Sequence, residues 1–220
     1  MKDVVVLGLA LLLASWPLAA QPEPQLNAAD SAGNFYSAMN FFNGTYEYIQ
    51  VRKISSNGNL LWTQNSRFTA NQRAGAVAID PSGGIAVAAV RRDDDRRVLV
   101  LLHYTSQGLC DWERSYNDSA DNIPTAAISD QAGNIYVAGN TTRGSNKVAR
   151  LWKYDALGSF AWMREYDNGS GNTYARQIQV DTAANAVLSV ESFQSQTATS
   201  GQYALRLLVF DKDGYQVSIQ

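Results

Sequence analysis

The sequence predicts an all-β fold of four repeats of about 50 residues each, and three observations support that prediction. Tryptophans that close a Gly-x-x-x-Trp stretch recur at a 50-residue period, at Trp62, Trp112 and Trp162. Asp-x-x-Gly turns keep step with them, beginning at Asp30, Asp80 and Asp130. Short apolar runs bounded by Gly, Asp and Asn are typical of strands, and nothing after residue 20 shows a sustained helical period.

Each repeat contains four apolar runs, which predicts a four-stranded antiparallel unit. In the third repeat, one run precedes the Asp130 turn, two follow at residues 135–138 and 148–151, and the last carries Trp162. Four strands per repeat of this length are typical of β-propeller blades, which pack face to face and bury both faces of each sheet. We therefore predict a β-propeller of four four-stranded blades, at about residues 26–66, 74–117, 124–167 and 175–220.

The terminal repeats depart from the pattern, as expected of repeats at the ends of an array. In the fourth, Ala184 replaces the turn glycine and Ser218 stands where the tryptophan belongs. Three arrangements remain open: a closed four-blade ring, an open arc that a second copy completes through its blade edges, or part of a longer propeller. The fixed position of the tryptophans, four residues after a turn glycine, favours packing between blades over an aromatic binding ladder.

The third repeat also carries a family resemblance. It reads Ala-x-x-Asp-x-x-Gly-Asn-x-Tyr-Val-Ala-Gly from Ala127 to Gly139, followed by Lys153-Tyr154-Asp155-x-x-Gly158 and Trp162. This pattern resembles the bacterial β-propeller repeat called SBBP, from Ala28 to the C-terminus. The resemblance implies a propeller and an exported location, and no shared activity, because propellers host unrelated functions. The family is named for seven blades, whereas four repeats are present here, which favours an incomplete or partner-completed arc over a closed ring.

The N-terminus predicts a secretory signal peptide over residues 1–20. Lys2 is followed by an apolar run at residues 4–13 and by small residues up to Ala20, so we expect cleavage before Gln21. The alternative is an uncleaved N-terminal anchor, but the apolar run is too short to span a membrane comfortably. The propeller domain would then occupy residues 21–220 of a bacterial secreted or periplasmic protein.

Composition excludes several function classes. The net charge is −2 and no run of Lys and Arg suggests a nucleic-acid partner. A looser similarity to quinoprotein repeats would call for a vicinal cysteine pair, which the single cysteine excludes, and we expect no cofactor and no metal site. His103 occupies the repeat position of Lys53 and Lys153, which favours a structural substitution over a general base. Cys110 occupies the position of Leu60 and Phe160, which predicts a small core residue.

The connections that fail to repeat predict where function lies. The tight glycine turns belong to one face of a propeller, so the variable second–third and fourth–first connections share the opposite face, where binding residues are usually found. Residues 91–97 hold four Arg and three Asp, and could bind an anionic or carbohydrate ligand or a cation; a solvated hairpin with balanced charges is the preferred interpretation. The candidate binding residues on this face are Tyr46, Arg92, Asp94, Arg97, Arg143, Lys147 and Tyr174.

Two functions fit this arrangement. The first is an exported, non-catalytic module that binds a protein or carbohydrate through the variable loops. The second is a carbohydrate-active hydrolase or lyase, with Asp94, Asp121, Tyr46 and Tyr174 meeting over the axis. Such an enzyme would need two carboxyl groups within about 5–10 Å of each other in one pocket.

Overall fold

The computed structural model describes residues 26–67, 70–93, 95–169, 171–197 and 200–219. Within these ranges it contains sixteen strands and no helix. The strands form four antiparallel sheets of four, each with its strands in chain order, so every sheet is a simple meander. This confirms the predicted all-β, propeller-type fold of four blades. The proposed signal peptide lies outside the described residues, and no helix among them is long and apolar enough to cross a membrane.

Each blade runs from a strand near the axis to a strand at the outer edge. The first blade comprises β1 (Asn27–Ala29), β2 (Phe35–Phe42), β3 (Glu47–Ile54) and β4 (Leu60–Asn65). The second comprises β5 (Gln72–Ile79), β6 (Ile85–Asp93), β7 (Arg96–Tyr104) and β8 (Cys110–Tyr116). The third comprises β9 (Ile123–Ser129), β10 (Ile135–Arg143), β11 (Asn146–Tyr154) and β12 (Phe160–Tyr166). The fourth comprises β13 (Thr173–Val180), β14 (Ala186–Thr197), β15 (Ser200–Phe210) and β16 (Gln216–Ile219).

The Asp-x-x-Gly turns form as the sequence predicts. In the third blade, Asp130 Oδ1 accepts hydrogen bonds from the backbone N–H groups of Ala132 and Asn134, both at 2.9 Å. Gly133 has a φ of 82°, which is accessible to glycine at little cost. The fourth blade keeps the same turn with Ala184 at a φ of 63°, so this turn holds a non-glycine residue in the left-handed region.

The tryptophans join neighbouring blades, which confirms their predicted packing role. Trp62 lies against Gly108 of the second blade, where an added Cβ would come within 2.8 Å of the indole. Its Nε1–H donates to the carbonyl oxygen of Ser106 at 3.1 Å, and Lys53 Nζ donates to the same oxygen at 3.3 Å. We call this arrangement, an indole and a cation that reach one turn of the next blade, the blade clasp.

The clasp recurs between the third and fourth blades and is altered between the second and third. Trp162 Nε1 and Lys153 Nζ both donate to the carbonyl oxygen of Lys212, at 3.2 and 2.8 Å. Trp112 packs on Gly158 in the same way, yet its buried Nε1 has no hydrogen-bond partner among the described residues. Three hydrophobic cores, one at each junction, therefore carry the fold, with a different polar clasp at the middle one.

The four blades form an open arc. Each inner strand packs against the next, from β1 to β5, β9 and β13, whereas no such packing joins the first and fourth blades in the described chain. Gly58, which corresponds to the indole-contacting Gly108, has nothing within 4 Å of its Cβ position. Phe35 is 43% exposed, while the corresponding Ile85 is fully buried. Of the arrangements left open by the sequence, the four-blade ring is therefore not the one adopted.

One core prediction is wrong. Cys110 is exposed, as are Leu60 and Phe160 at the same repeat position. This position begins the fourth strand at the outer edge of each blade. Even Phe160, whose ring lies 5.3 Å from that of Tyr116 in the second blade, is 48% exposed there. The repeat alignment placed Cys110 correctly within the blade but did not reveal that this edge faces solvent.

Candidate functional site

The variable connections surround a cleft of about 700 Å³ on one face of the arc, which we call the loop-face cleft. It lies where the first three blades meet, between the ends of β3, β5, β7 and β9. Its lining residues are Leu26, Asn40, Glu47, Asn71, Arg73, Ala74, Gly75, Val90, Arg92, Arg97, Ile123, Pro124 and Thr125. Two of the predicted binding residues, Arg92 and Arg97, are among them.

A repeated tether holds the loops on this face. In each case the acceptor is the side-chain oxygen of an Asn or Asp just before the first strand of one blade. The donor is a backbone N–H at the start of the third strand of the preceding blade. The pairs are Asn71 with Glu47 at 2.8 Å, Asp121 with Arg97 at 2.9 Å and Asn172 with Lys147 at 2.7 Å. These bonds between neighbouring blades hold the backbone of the loop face in place. They therefore fix the backbone positions from which the cleft side chains extend.

The same bonding orients the cleft amides. Asn40 Oδ1 accepts the backbone N–H of Ala74 at 2.8 Å, and Asn71 Oδ1 accepts that of Glu47. Because each amide oxygen is committed to a backbone donor, each amide nitrogen is the group left for other partners. Within the described chain, neither nitrogen has a protein acceptor, and both residues line the cleft.

Three arginines contribute most of the charge in the cleft. Arg73 lies 3.7 Å from Glu47, and its side chain is 64% exposed. Arg97 lies 3.9 Å from Asp121 and is 44% exposed. Arg92 is exposed and forms no ion pair within the described residues. Both observed pairs exceed hydrogen-bond length and are open to water, so they hold the guanidinium groups weakly.

The charged hairpin at residues 91–97 divides into separate roles. Arg91 Nε and Nη2 donate to the two carboxylate oxygens of Asp93, at 2.8 and 2.9 Å. These bonds lower the pKa of the Asp93 carboxyl and raise that of the Arg91 guanidinium. This part of the hairpin neutralises itself, as predicted, whereas Arg92 and Arg97 face the cleft. Asp94 lies outside the described residues, and no group of three or more potential metal ligands occurs among those described.

The other predicted binding residues lie away from the cleft. Tyr46 is 36% exposed at the first blade's hairpin. Arg143 pairs with Glu165, and Lys147 Nζ donates to Thr142 Oγ1 at 2.7 Å. The ring of Tyr174 lies 6.5 Å from that of Tyr203, in the fourth blade.

The residues considered for catalysis are not brought together in the described part of the chain. Asp121 serves as the tether for Arg97, and neither Tyr46 nor Tyr174 lines the cleft. Glu47 is the single carboxylate among the described lining residues.

Sequence reasoning missed Asn40, Glu47, Asn71 and Arg73. The tether left a signal, because Asn71, Asp121 and Asn172 occupy one place in the repeat alignment. Asn40 likewise matches Asn140, whose Oδ1 accepts the backbone N–H of Ala175 at 2.8 Å. Arg73 ends the connection that the sequence predicts before the second repeat, whereas the structure places it in β5, and nothing in the sequence indicated that it faces the cleft.

A second cleft of about 500 Å³ lies on the opposite face, among the Asp-x-x-Gly turns. Asp30, Asp80 and Asp130 line it, together with Lys53. Asp30 and Asp130 hold their own turns and bond Tyr36 and Tyr136. Because these carboxylates are occupied within the protein, the turn face is the weaker candidate for ligand binding.

His103 lies buried beside this face, between two carboxylates. Its Nε2 is 2.7 Å from Asp80 Oδ2, and its Nδ1 is 2.6 Å from Asp111 Oδ1. Burial alone would lower the pKa of the imidazole, but the bonds to Asp80 and Asp111 outweigh it and raise that pKa. The ring also stacks on Trp112 at 4.9 Å. His103 therefore replaces the lysine of the other clasps with a cation bonded inside its own blade, as its repeat position suggested.

None of the family models matches the chain, and none of the curated proteins does. Among solved structures, it is similar to a gluconolactonase from Xanthomonas campestris, with 12% identity and a TM-score of 0.43. The superposition covers 74% of this chain and 52% of the other, so the chain spans about half the length of that protein. A similarity this distant says nothing about the ligand or activity of the present chain.

Proposed function

We propose that the protein is an exported, non-catalytic binding module on an SBBP-type propeller scaffold, with the loop-face cleft as its ligand site. One observation carries this proposal: Arg73, Arg92 and Arg97, from separate strands, converge on one cleft at the face that carries the variable connections. A rigid scaffold that presents variable side chains in a concave site is the usual form of a binding site.

The charge pattern favours binding over hydrolysis. A glycosidase or lyase working through paired acids would place two carboxyl groups in one pocket. Glu47 is the cleft's single carboxylate among the described residues, and the nearby Asp121 is engaged by Arg97. The carbohydrate-active enzyme remains the second candidate, because Asp94 belongs to the same hairpin as Arg92.

A ligand panel tests the proposed function. Residues 21–220 would be screened by ligand-observed NMR against neutral sugars, sugar acids, amino acids and short peptides. We expect at least one of these ligand classes to bind and to remain chemically unchanged. The R73A/R92A double substitution should abolish that binding. Arg96 provides the matched control, since it lies exposed on the same hairpin outside the cleft lining. Binding that the double substitution leaves unchanged, or conversion of a ligand to product, would overturn the proposal.

Export is a separate part of the proposal, supported by the apolar run at residues 4–13 and the small residues before Gln21. Expression of the whole chain in a bacterial host should yield a periplasmic or secreted product. Mass spectrometry should show that this product begins at Gln21. An intact N-terminus retained in the cytoplasm would contradict export.

A further inference from the structure

We propose that the loop-face cleft binds a saccharide that carries carboxylate groups, that is, an oligosaccharide containing uronic acids. This inference rests on the proposed function and names its ligand class. The polar side chains that line the cleft are mainly donors: the guanidinium groups of Arg73, Arg92 and Arg97 and the amide nitrogens of Asn40 and Asn71. A ligand that fits must therefore be rich in acceptor oxygens.

The arginines select for carboxylate. A guanidinium is always charged, and its planar fork matches the two oxygens of a carboxylate. Arg91 shows this pairing within the protein, on Asp93 at 2.8 and 2.9 Å. Arg73 and Arg97 are held only at 3.7 and 3.9 Å from their acidic neighbours, so a ligand carboxylate can take them over without breaking a strong bond.

The remaining groups select for hydroxyls. Glu47 lines the same cleft and, as a carboxylate, only accepts hydrogen bonds. An inorganic anion without a proton, such as sulfate, cannot donate to Glu47, whereas a sugar hydroxyl donates to Glu47 and also accepts from an amide nitrogen. Leu26, Ile123 and Pro124 supply an apolar wall against which the C–H face of a sugar ring can pack. A uronic-acid saccharide satisfies the arginines, the amides, the carboxylate and the wall together.

Calorimetry with trigalacturonate as the probe tests this ligand class. We expect trigalacturonate to bind and its carboxyl-reduced, neutral counterpart not to bind. Arg92→Ala should weaken binding roughly tenfold, because hydrogen bonds to a charged partner are among the stronger ones. Arg96→Ala should leave the affinity unchanged. Glu47→Gln keeps a side-chain oxygen that accepts the sugar hydroxyl and removes the one carboxylate among the described cleft residues. It should therefore strengthen binding of the anionic trisaccharide about threefold, and a gain in affinity cannot come from misfolding.

The outcomes separate the ligand class from the proposed function. Equal binding of the neutral trisaccharide, or a loss of affinity on Glu47→Gln, overturns the uronic-acid assignment. If a peptide rich in glutamate binds in an Arg92-dependent way and trigalacturonate does not, the ligand class is wrong and the binding site stands. If no ligand of the panel loses affinity when Arg73 and Arg92 are substituted, both the binding function of the cleft and its ligand class are wrong.

Discussion

At the scale of single residues, His103 shows how one position in a repeat can change the chemistry of a junction. Lys53 and Lys153 each reach a carbonyl of the next blade, whereas the shorter His103 bonds Asp80 and Asp111 of its own blade. Burial raises the pKa of Asp80, but the hydrogen bonds from His103 and Ser82 outweigh it and lower that pKa. Because both ring nitrogens face carboxylate oxygens, the three groups form an imidazolium held between two carboxylates.

This pairing predicts a pH dependence of stability. Because the folded-state pKa of His103 is raised, its stabilising contribution is complete below the unfolded pKa of about 6.5 and is lost as the pH rises through the folded pKa. Urea unfolding should therefore show a decline in stability toward alkaline pH, where Asp80 stays ionised. The H103K variant, which restores the lysine of the other clasps, should show a flatter profile. Parallel profiles for the two proteins would contradict this role for His103.

At the scale of strands and blades, the clasp predicts unequal costs for the same tryptophan substitution. Trp112 and Trp162 are both 8% exposed and each packs on a turn glycine, but only Trp162 donates its indole N–H to the next blade. Substitution to Phe removes similar apolar area at both sites. W162F should therefore lower the free energy of unfolding by about 1 kcal/mol more than W112F. Equal losses in denaturant unfolding would show that the indole bond contributes nothing.

The same elements show what the repeat pattern can and cannot predict. The 50-residue period predicted every blade, the turns at Asp30, Asp80 and Asp130, and the packing role of the tryptophans. Each of these follows from local hydrogen bonding and from contacts between neighbouring blades. The exposure of Cys110 was missed because the hydrophobicity of a strand position does not reveal whether a neighbouring blade covers it.

At the scale of the whole molecule, the repeats themselves did not distinguish an arc from a ring, and only the blade number of the resembled family favoured the arc. Closure depends on small rotations between blades that accumulate around the axis, and no single residue encodes them. The two terminal blades do depart from the packing residues of the inner blades. Arg52 stands where Leu102 and Trp152 pack in the inner blades, and Ser218 replaces the clasp tryptophan. Self-association through these ends stays a prediction.

Only some of the cleft residues were predicted, because the cleft, like the open arc, depends on how the blades pack together. Arg92 and Arg97 were found because their hairpin breaks the repeat, while Arg73 lies within a regular strand and faces the cleft only through the packing of three blades. Convergence of side chains from different blades is a property of the assembled arc. The division into a repeating turn face and a variable loop face nevertheless came from the sequence.

That division is the central claim, and chemical-shift mapping tests it most directly. Trigalacturonate would be added to the isotope-labelled protein and backbone amide signals followed. We predict shifts at residues 71–75 and 91–97, around the cleft arginines, and none at the turns of residues 30–33, 80–83 and 130–133. Shifts concentrated at those turns would contradict the account and move the ligand site to the opposite face.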